Sequence, residues 1–117
     1  MNNKEIGKIG EDSVAYYIDK IGCNILERNY RIESGEIDII FLEENCLVFG
    51  EVKTRQTRAY GRPCEAVNER KRNKIISVAK HYVISENKFN MDIRFDVFEV
   101  YFKERKIHHI RNAYYAT

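Results

Sequence analysis

The stretch Gly35-Glu36-Ile37-Asp38-Ile39-Ile40-Phe41-Leu42-Glu43-Glu44-Asn45-Cys46-Leu47-Val48-Phe49-Gly50-Glu51-Val52-Lys53 decides how this chain is read. β-Branched and aromatic residues crowd both sides of a short polar segment, which predicts two central strands joined as a hairpin. If Glu44-Asn45 closes that hairpin, the register sets Ile40 opposite Phe49, Asp38 opposite Glu51 and Glu36 opposite Lys53. Directly opposed side chains share one face of a sheet, so four ionisable groups converge at the open end. The other face carries Ile37, Ile39 and Phe41 with Val48, Gly50 and Val52, an apolar surface suited to a helix. The inference rests on parity, because a turn of odd length would send Asp38 and Glu51 to opposite faces.

Two carboxylates about 4 Å apart repel by about 4 kcal/mol at an effective dielectric of about 20. Such a pair needs a proton, a lysine or a metal ion. A shared proton raises one pKa, and one lysine neutralises only one acid. A hard divalent cation accepts oxygen ligands and leaves water positions for chemistry. Lys53, two residues after Glu51, falls on the same face, where it can stabilise an attacked phosphate or orient the attacking water. The competing reading is a solvated sheet face on which Glu36 and Lys53 satisfy each other.

Outward from the hairpin, Ile6, Ile9, Val14, Tyr17, Ile18 and Ile21 recur at helical steps and predict an amphipathic first helix ending near Gly22. Asn24 to Arg31 reads as a first strand. Thr54 to Arg62 is a polar loop, and Pro63 can open the next segment. Ile75, Ile76, Ala79, Tyr82 and Val83 mark one face of a second helix. Arg94 to Phe102 predicts a strand buried on both faces, with a short edge strand over Lys106 to Ile110. The expected fold is α/β, a mixed central sheet flanked by helices, in a single domain spanning residues 1–117.

Composition narrows the function classes. With 44% hydrophobic and 32% charged residues and one proline, the chain reads as an ordinary globular protein. No window approaches the roughly 20 apolar residues of a membrane span, so no membrane partner is expected. Cys23, Cys46 and Cys64 are odd in number and lack zinc-motif spacing, which favours reduced thiols and a cytoplasmic location. Net charge is +2, yet Val52 to Ile75 holds eight basic residues against Glu65 and Glu69. A basic run directly after a carboxylate pair suits a phosphate-backbone ligand, and equally a solvated loop and helix face.

The order Gly10-Glu11-Asp12, Glu27-Arg28-Asn29-Tyr30-Arg31, Gly35-Glu36-Ile37-Asp38, Glu51-Val52-Lys53-Thr54-Arg55, Gly61 with Pro63, Lys71, and Arg94-Phe95-Asp96-Val97 resembles the YraN family of bacterial proteins. The resemblance covers almost the whole chain and joins several spaced motifs. That family is similar in predicted fold to restriction endonucleases and archaeal Holliday junction resolvases, the PD-(D/E)xK nucleases, and its members are mostly of unproven activity. The resemblance implies that Asp38 and Glu51 hold Mg²⁺ or Mn²⁺, that Lys53 is the catalytic lysine, and that Glu11 is a further metal-binding acid. It implies an endonuclease acting on nucleic acid, DNA ahead of RNA and branched DNA among the substrates, and a two-fold homodimer by analogy. Arg55, Arg58, Arg62 and Lys71 are the expected phosphate contacts, with Glu36 the acid behind the ligands and the partner of Lys53. The alternative is a catalytically silent nucleic-acid-binding or assembly module of the same fold. A third is a protein-interaction domain with an ion-paired sheet face.

Three details remain open at this level. Gly7 and Gly10 each cost about 1 kcal/mol in a helix interior, so another backbone approaches closely there or the helix starts later. In the second case Glu11 is only a first-turn acid. Gly50 departs from the valine or similar apolar residue expected before Glu51. His81, His108 and His109 read as surface or partly buried, Tyr60 is the best-placed stacking tyrosine, and Tyr114-Tyr115 docks on the domain or on a second subunit.

Overall fold

The computed structural model describes residues 1–56 and 68–116. Helix α1 (Asn3–Lys20) is followed by strands β1 (Asn24–Ile32), β2 (Gly35–Glu43) and β3 (Cys46–Arg55), helix α2 (Glu69–Ser85), and strands β4 (Asp92–Tyr101) and β5 (Lys106–Tyr114). The strands form one sheet in the order β1-β2-β3-β4-β5. β3 and β4 run parallel, as a crossover through a helix requires, and the other neighbours are antiparallel. This is the mixed, helix-flanked sheet that the resemblance implies.

Local chemistry explains the helix ends. Asn2 and Asn68 cap the N-termini, accepting from the backbone N–H of Glu5 at 2.8 Å and of Lys71 at 2.9 Å. Left-handed residues close the C-termini: Gly22 (φ 88°) after α1 and Asn87 (φ 55°) after α2. The following residues, Cys23 and Lys88, return hydrogen bonds to Ile18 and Val83. Among the described residues, no helix is long and apolar enough to cross a membrane.

The sheet is packed on both sides. Val14 and Ile18 of α1 cover Ile39, Phe41, Val48 and Phe98. On the opposite side, Val78, Ala79 and Tyr82 of α2 cover Ile40, Leu47, Phe49 and Phe95. Ile37 packs with the α2 cluster and not with the apolar face expected for it, because β2 departs from strict alternation beside Asp38. Ile9 and Ile21, expected on the buried stripe of α1, are 38% and 41% exposed.

Two glycines set how closely layers approach. A Cβ on Gly10 would collide with the Thr54 hydroxyl, so this glycine brings α1 onto β3. The helix starts at Asn3, which excludes the late start and leaves Glu11 well inside α1. Gly50 faces Ile39 and Phe98, whose side chains would lie 2.8 and 2.9 Å from a Cβ there. The volume of the expected apolar side chain is already filled by Phe98. β5 runs to Tyr114, beyond the short edge strand expected, and Tyr114 docks on its own chain, its ring stacked 5.1 Å from Phe95. Tyr115 is 69% exposed.

Candidate metal-binding site at the open end of the hairpin

The β2–β3 ladder runs from Glu43↔Cys46 through Ile40↔Phe49 to Ile39↔Gly50, the register predicted from Glu44-Asn45. Glu44 takes a left-handed conformation (φ 55°), which turns the chain in two residues and preserves parity. Past Ile39↔Gly50 the paired register ends. There Asp38 Oδ2 accepts a hydrogen bond from the backbone N–H of Val52 at 2.8 Å, so a side chain takes over from the ladder. Asp38 and Glu51 line one cavity of about 280 Å³ with Glu36, Lys71 and Lys74.

The charges there are unevenly met. Burial, then the negative charge of Glu51, push the Asp38 carboxyl up to about 7, with Glu11 and Glu36 adding to the rise against the Val52 N–H. Glu51 is 6% exposed, and its Oε1 lies 2.7 Å from Lys71 Nζ and 3.6 Å from Lys53 Nζ. Burial and the neighbouring Lys71 hold Lys53 below the ordinary lysine value, despite the attraction of Glu51. For Lys71, burial acts downward, but the hydrogen bond to Glu51 outweighs it and the amine sits above its ordinary value. The two ammonium groups compete for one carboxylate, and Lys71 holds the shorter contact.

The expected site residues fall into three groups. Asp38, Glu51, Lys53 and Lys71 come together. Glu11 reaches the same end of the sheet from α1, with its Oε1 3.1 Å from Asn29 Nδ2. Arg55 turns to Glu99 instead, at 3.8 Å. Arg58 and Arg62, with Tyr60 and Cys64, lie outside the described residues. The pairing of Glu36 with Lys53 is corrected: Glu36 Oε2 binds Arg31 at 2.6 Å. The reason is register, since the β2–β3 ladder stops short of Glu36 whereas the β1–β2 ladder places Arg31 directly opposite it.

Sequence reasoning missed two features. Asn29 donates to both Glu11 and Glu36. At the far side of the sheet, Asp96 accepts from Arg94, from the backbone of Asn112 and from the His109 ring, and His109 also meets Tyr17 Oη at 2.9 Å. Of the two expectations for His109, surface or partly buried, the second holds: its side chain is 4% exposed. The sequence signal was Arg94-x-Asp96, two opposite charges at alternate positions of a largely apolar strand.

Among the described residues no three His, Cys, Asp or Glu side chains form a ready-made metal cage. The donor set nevertheless fits a hard cation. Asp38 and Glu51 offer carboxylate oxygens, and the Asp38 carboxyl is raised by burial and then by the negative charge of Glu51, both of which a cation at the pair would offset. Mg²⁺ commonly uses one or two carboxylates and completes its shell with water and substrate phosphate.

The pattern of the uncharacterised protein family UPF0102 matches residues 10–100. A UPF0102 protein of Clostridioides difficile (strain 630) is 51% identical over 97% of this chain and 100% of its own length. One of Alkaliphilus metalliredigens (strain QYMF) is 46% identical over 96% of this chain and 99% of its own, and one of Caldanaerobacter subterraneus subsp. tengcongensis is 42% identical over 97% and 98%. The matched span includes Glu11, Asp38, Glu51, Lys53 and Lys71, and on it the chain belongs to the uncharacterised protein family UPF0102, the YraN family.

Proposed function

We propose that this protein is a divalent-metal-dependent endonuclease that hydrolyses phosphodiester bonds in nucleic acid, with DNA, branched forms included, as the preferred substrate. The observation that carries the reading is the Asp38–Glu51 pair, two crowded carboxylates beside a lysine of lowered pKa in a cavity rimmed by further lysines. Asp38 and Glu51 would hold Mg²⁺ or Mn²⁺, with Glu11 contributing from α1. The cation would supply Lewis-acid polarisation of the phosphate and a more acidic bound water. Lys53, whose Nζ lies beside Glu51, would orient the attacking water and take up its proton. Lys71 and Lys74 at the start of α2, with Arg58 and Arg62, would hold flanking phosphates. By analogy the active form is a homodimer.

The test is a cleavage assay with Mg²⁺ or Mn²⁺ on duplex, single-stranded, flap and four-way-junction DNA and on RNA. Cleavage by the wild type, lost in Asp38→Asn and Lys53→Ala, is expected. Equal cleavage by all three preparations means a contaminant and contradicts the reading. A second reading, nucleic-acid binding without turnover, draws on the Lys71–Glu51 ion pair, which occupies a ligand oxygen at 2.7 Å. It predicts salt-dependent binding with no metal response. Under the nuclease reading, Mg²⁺ at a hundredfold excess over its Kd raises wild-type stability by about 3 kcal/mol and leaves Asp38→Asn unchanged.

A further inference from the structure

We infer that Asn29 is a positioning residue of this site: its side-chain amide ties Glu11 of α1 to Glu36 of β2 and sets where the third acid stands beside Asp38. The inference rests on the proposed metal site and goes further by naming what aims Glu11. Asn29 lies inside β1 yet adopts a left-handed backbone (φ 51°). The β1–β2 ladder keeps one register on both sides of it, Arg28↔Ile39 and Tyr30↔Ile37, so no residue is inserted. Asn29 therefore stands opposite Asp38 and is itself unpaired in the ladder.

A side chain in that conformation costs about 1 kcal/mol or more, least for asparagine, and such residues gather at functional sites when the surroundings hold them. Here the holding groups are carboxylates. Asn29 Nδ2 donates to Glu11 Oε1 at 3.1 Å and to Glu36 Oε1 at 3.2 Å. The neighbouring side chains of β1 treat acids differently: Arg28 binds Asp12 at 2.6 Å and Arg31 binds Glu36 at 2.6 Å, each neutralising its partner. An amide orients a carboxylate and leaves its charge in place. Among the described residues no ion pair engages Glu11, so its charge remains for a cation. A neutral donor is what a metal ligand needs from its support, and removing such a support typically costs ten- to a hundredfold in metal affinity.

Asparagine at this position separates backbone from side chain. Asn29→Gly keeps the left-handed backbone without strain and deletes the amide. Asn29→Asp keeps the shape and replaces the donor by another negative charge. Calorimetric titration with Mg²⁺ and with Mn²⁺, alongside thermal melts, reads both. Asn29→Gly is expected to melt close to wild type while binding Mg²⁺ about tenfold more weakly. Glu11→Gln should weaken binding to a similar extent, and the double variant should be no weaker than Glu11→Gln alone, since one residue acts through the other. Asn29→Asp should bind no better than Asn29→Gly, because it points a repelling charge at Glu11. Wild-type affinity in Asn29→Gly, or fully additive losses in the double variant, overturns the inference and leaves the metal site standing. Absence of Mg²⁺ and Mn²⁺ binding by the wild type overturns the metal site and this inference with it.

Discussion

Asp38 and Asp96 are two aspartates of one sheet, and their surroundings differ in kind. Asp96 is fully buried and fully answered: Arg94 donates twice at 2.8 and 2.9 Å, His109 lies at 2.6 Å and the Asn112 N–H at 3.0 Å. Burial pushes its carboxyl upward, but the bonds from His109, Arg94 and Asn112 outweigh it and hold the group below its ordinary range. Among the described residues, Asp38 has one hydrogen bond, from the Val52 N–H, and acids around it. Its carboxyl rises to about 7. The fold thus compensates a buried aspartate where it serves structure, and leaves a partly buried one at the open end of the hairpin with fewer donors and more acids around it.

The largest effect expected from this contrast is on Asp96. Asp96→Ala leaves Arg94 with Glu43 alone and His109 with Tyr17 alone, and should cost about 3 kcal/mol, read as a fall in the urea midpoint. Asp38→Asn should be neutral or stabilising at neutral pH. Equal losses in the two variants would mean that both aspartates are compensated alike.

The two aspartates also differ in the sign of their pH dependence. Because Asp38 has a raised carboxyl in the folded state, the native protein binds that proton more tightly than the unfolded chain does. The contribution of Asp38 to stability therefore falls as pH climbs from the ordinary carboxylate value through about 7, and levels off above it. Between about pH 5 and pH 8 the advantage of Asp38→Asn over wild type should grow by on the order of 3 kcal/mol. Asp96 carries the opposite sign, since its lowered carboxyl contributes stability above the ordinary value and loses it as pH falls through the folded one.

Smaller effects test the frame around Asp38. Gly50→Val drives a side chain into Ile39 and Phe98 at the last β2–β3 pair, and should cost about 2 kcal/mol. Arg31→Ala removes the partner of Glu36, but the arginine side chain is 76% exposed, so the loss should stay below about 1 kcal/mol. A large loss there would mean that Glu36 is central to the fold and not an outlying acid.

Much of this arrangement is legible in the sequence. The two-residue turn at Glu44-Asn45 fixes the register as far as Ile39↔Gly50, one residue short of Asp38 and Glu51, which line one cavity. What the sequence does not carry is where pairing ends. The ladder stops at Ile39↔Gly50 because Asp38 itself takes the Val52 N–H, and that hydrogen bond depends on three-dimensional contact, not on spacing. Glu36 goes to Arg31 because a third strand offers a closer partner than the hairpin does. Lys71 is visible as part of a basic run, but its reach to Glu51 depends on how α2 crosses the sheet. Gly50 looks like a weakness in a strand until Phe98, a residue of β4, is seen to need the room. His109 carries no motif of its own, and Asn29 stands in Glu27-Arg28-Asn29-Tyr30-Arg31 with nothing in the sequence to say which acids it meets.

If Asp38 is held short of compensation so that a cation can complete the site, its carboxyl should report the cation directly. The measurement is carbon-13 NMR of the aspartate and glutamate side-chain carboxyls, titrated in pH with and without Mg²⁺. The Asp38 carboxyl is expected to titrate near 7 without metal and to shift to markedly lower pH when Mg²⁺ is present, while Asp96 titrates below its ordinary range whether Mg²⁺ is present or not. An Asp38 carboxyl that titrates in the ordinary range and is indifferent to Mg²⁺ would contradict this.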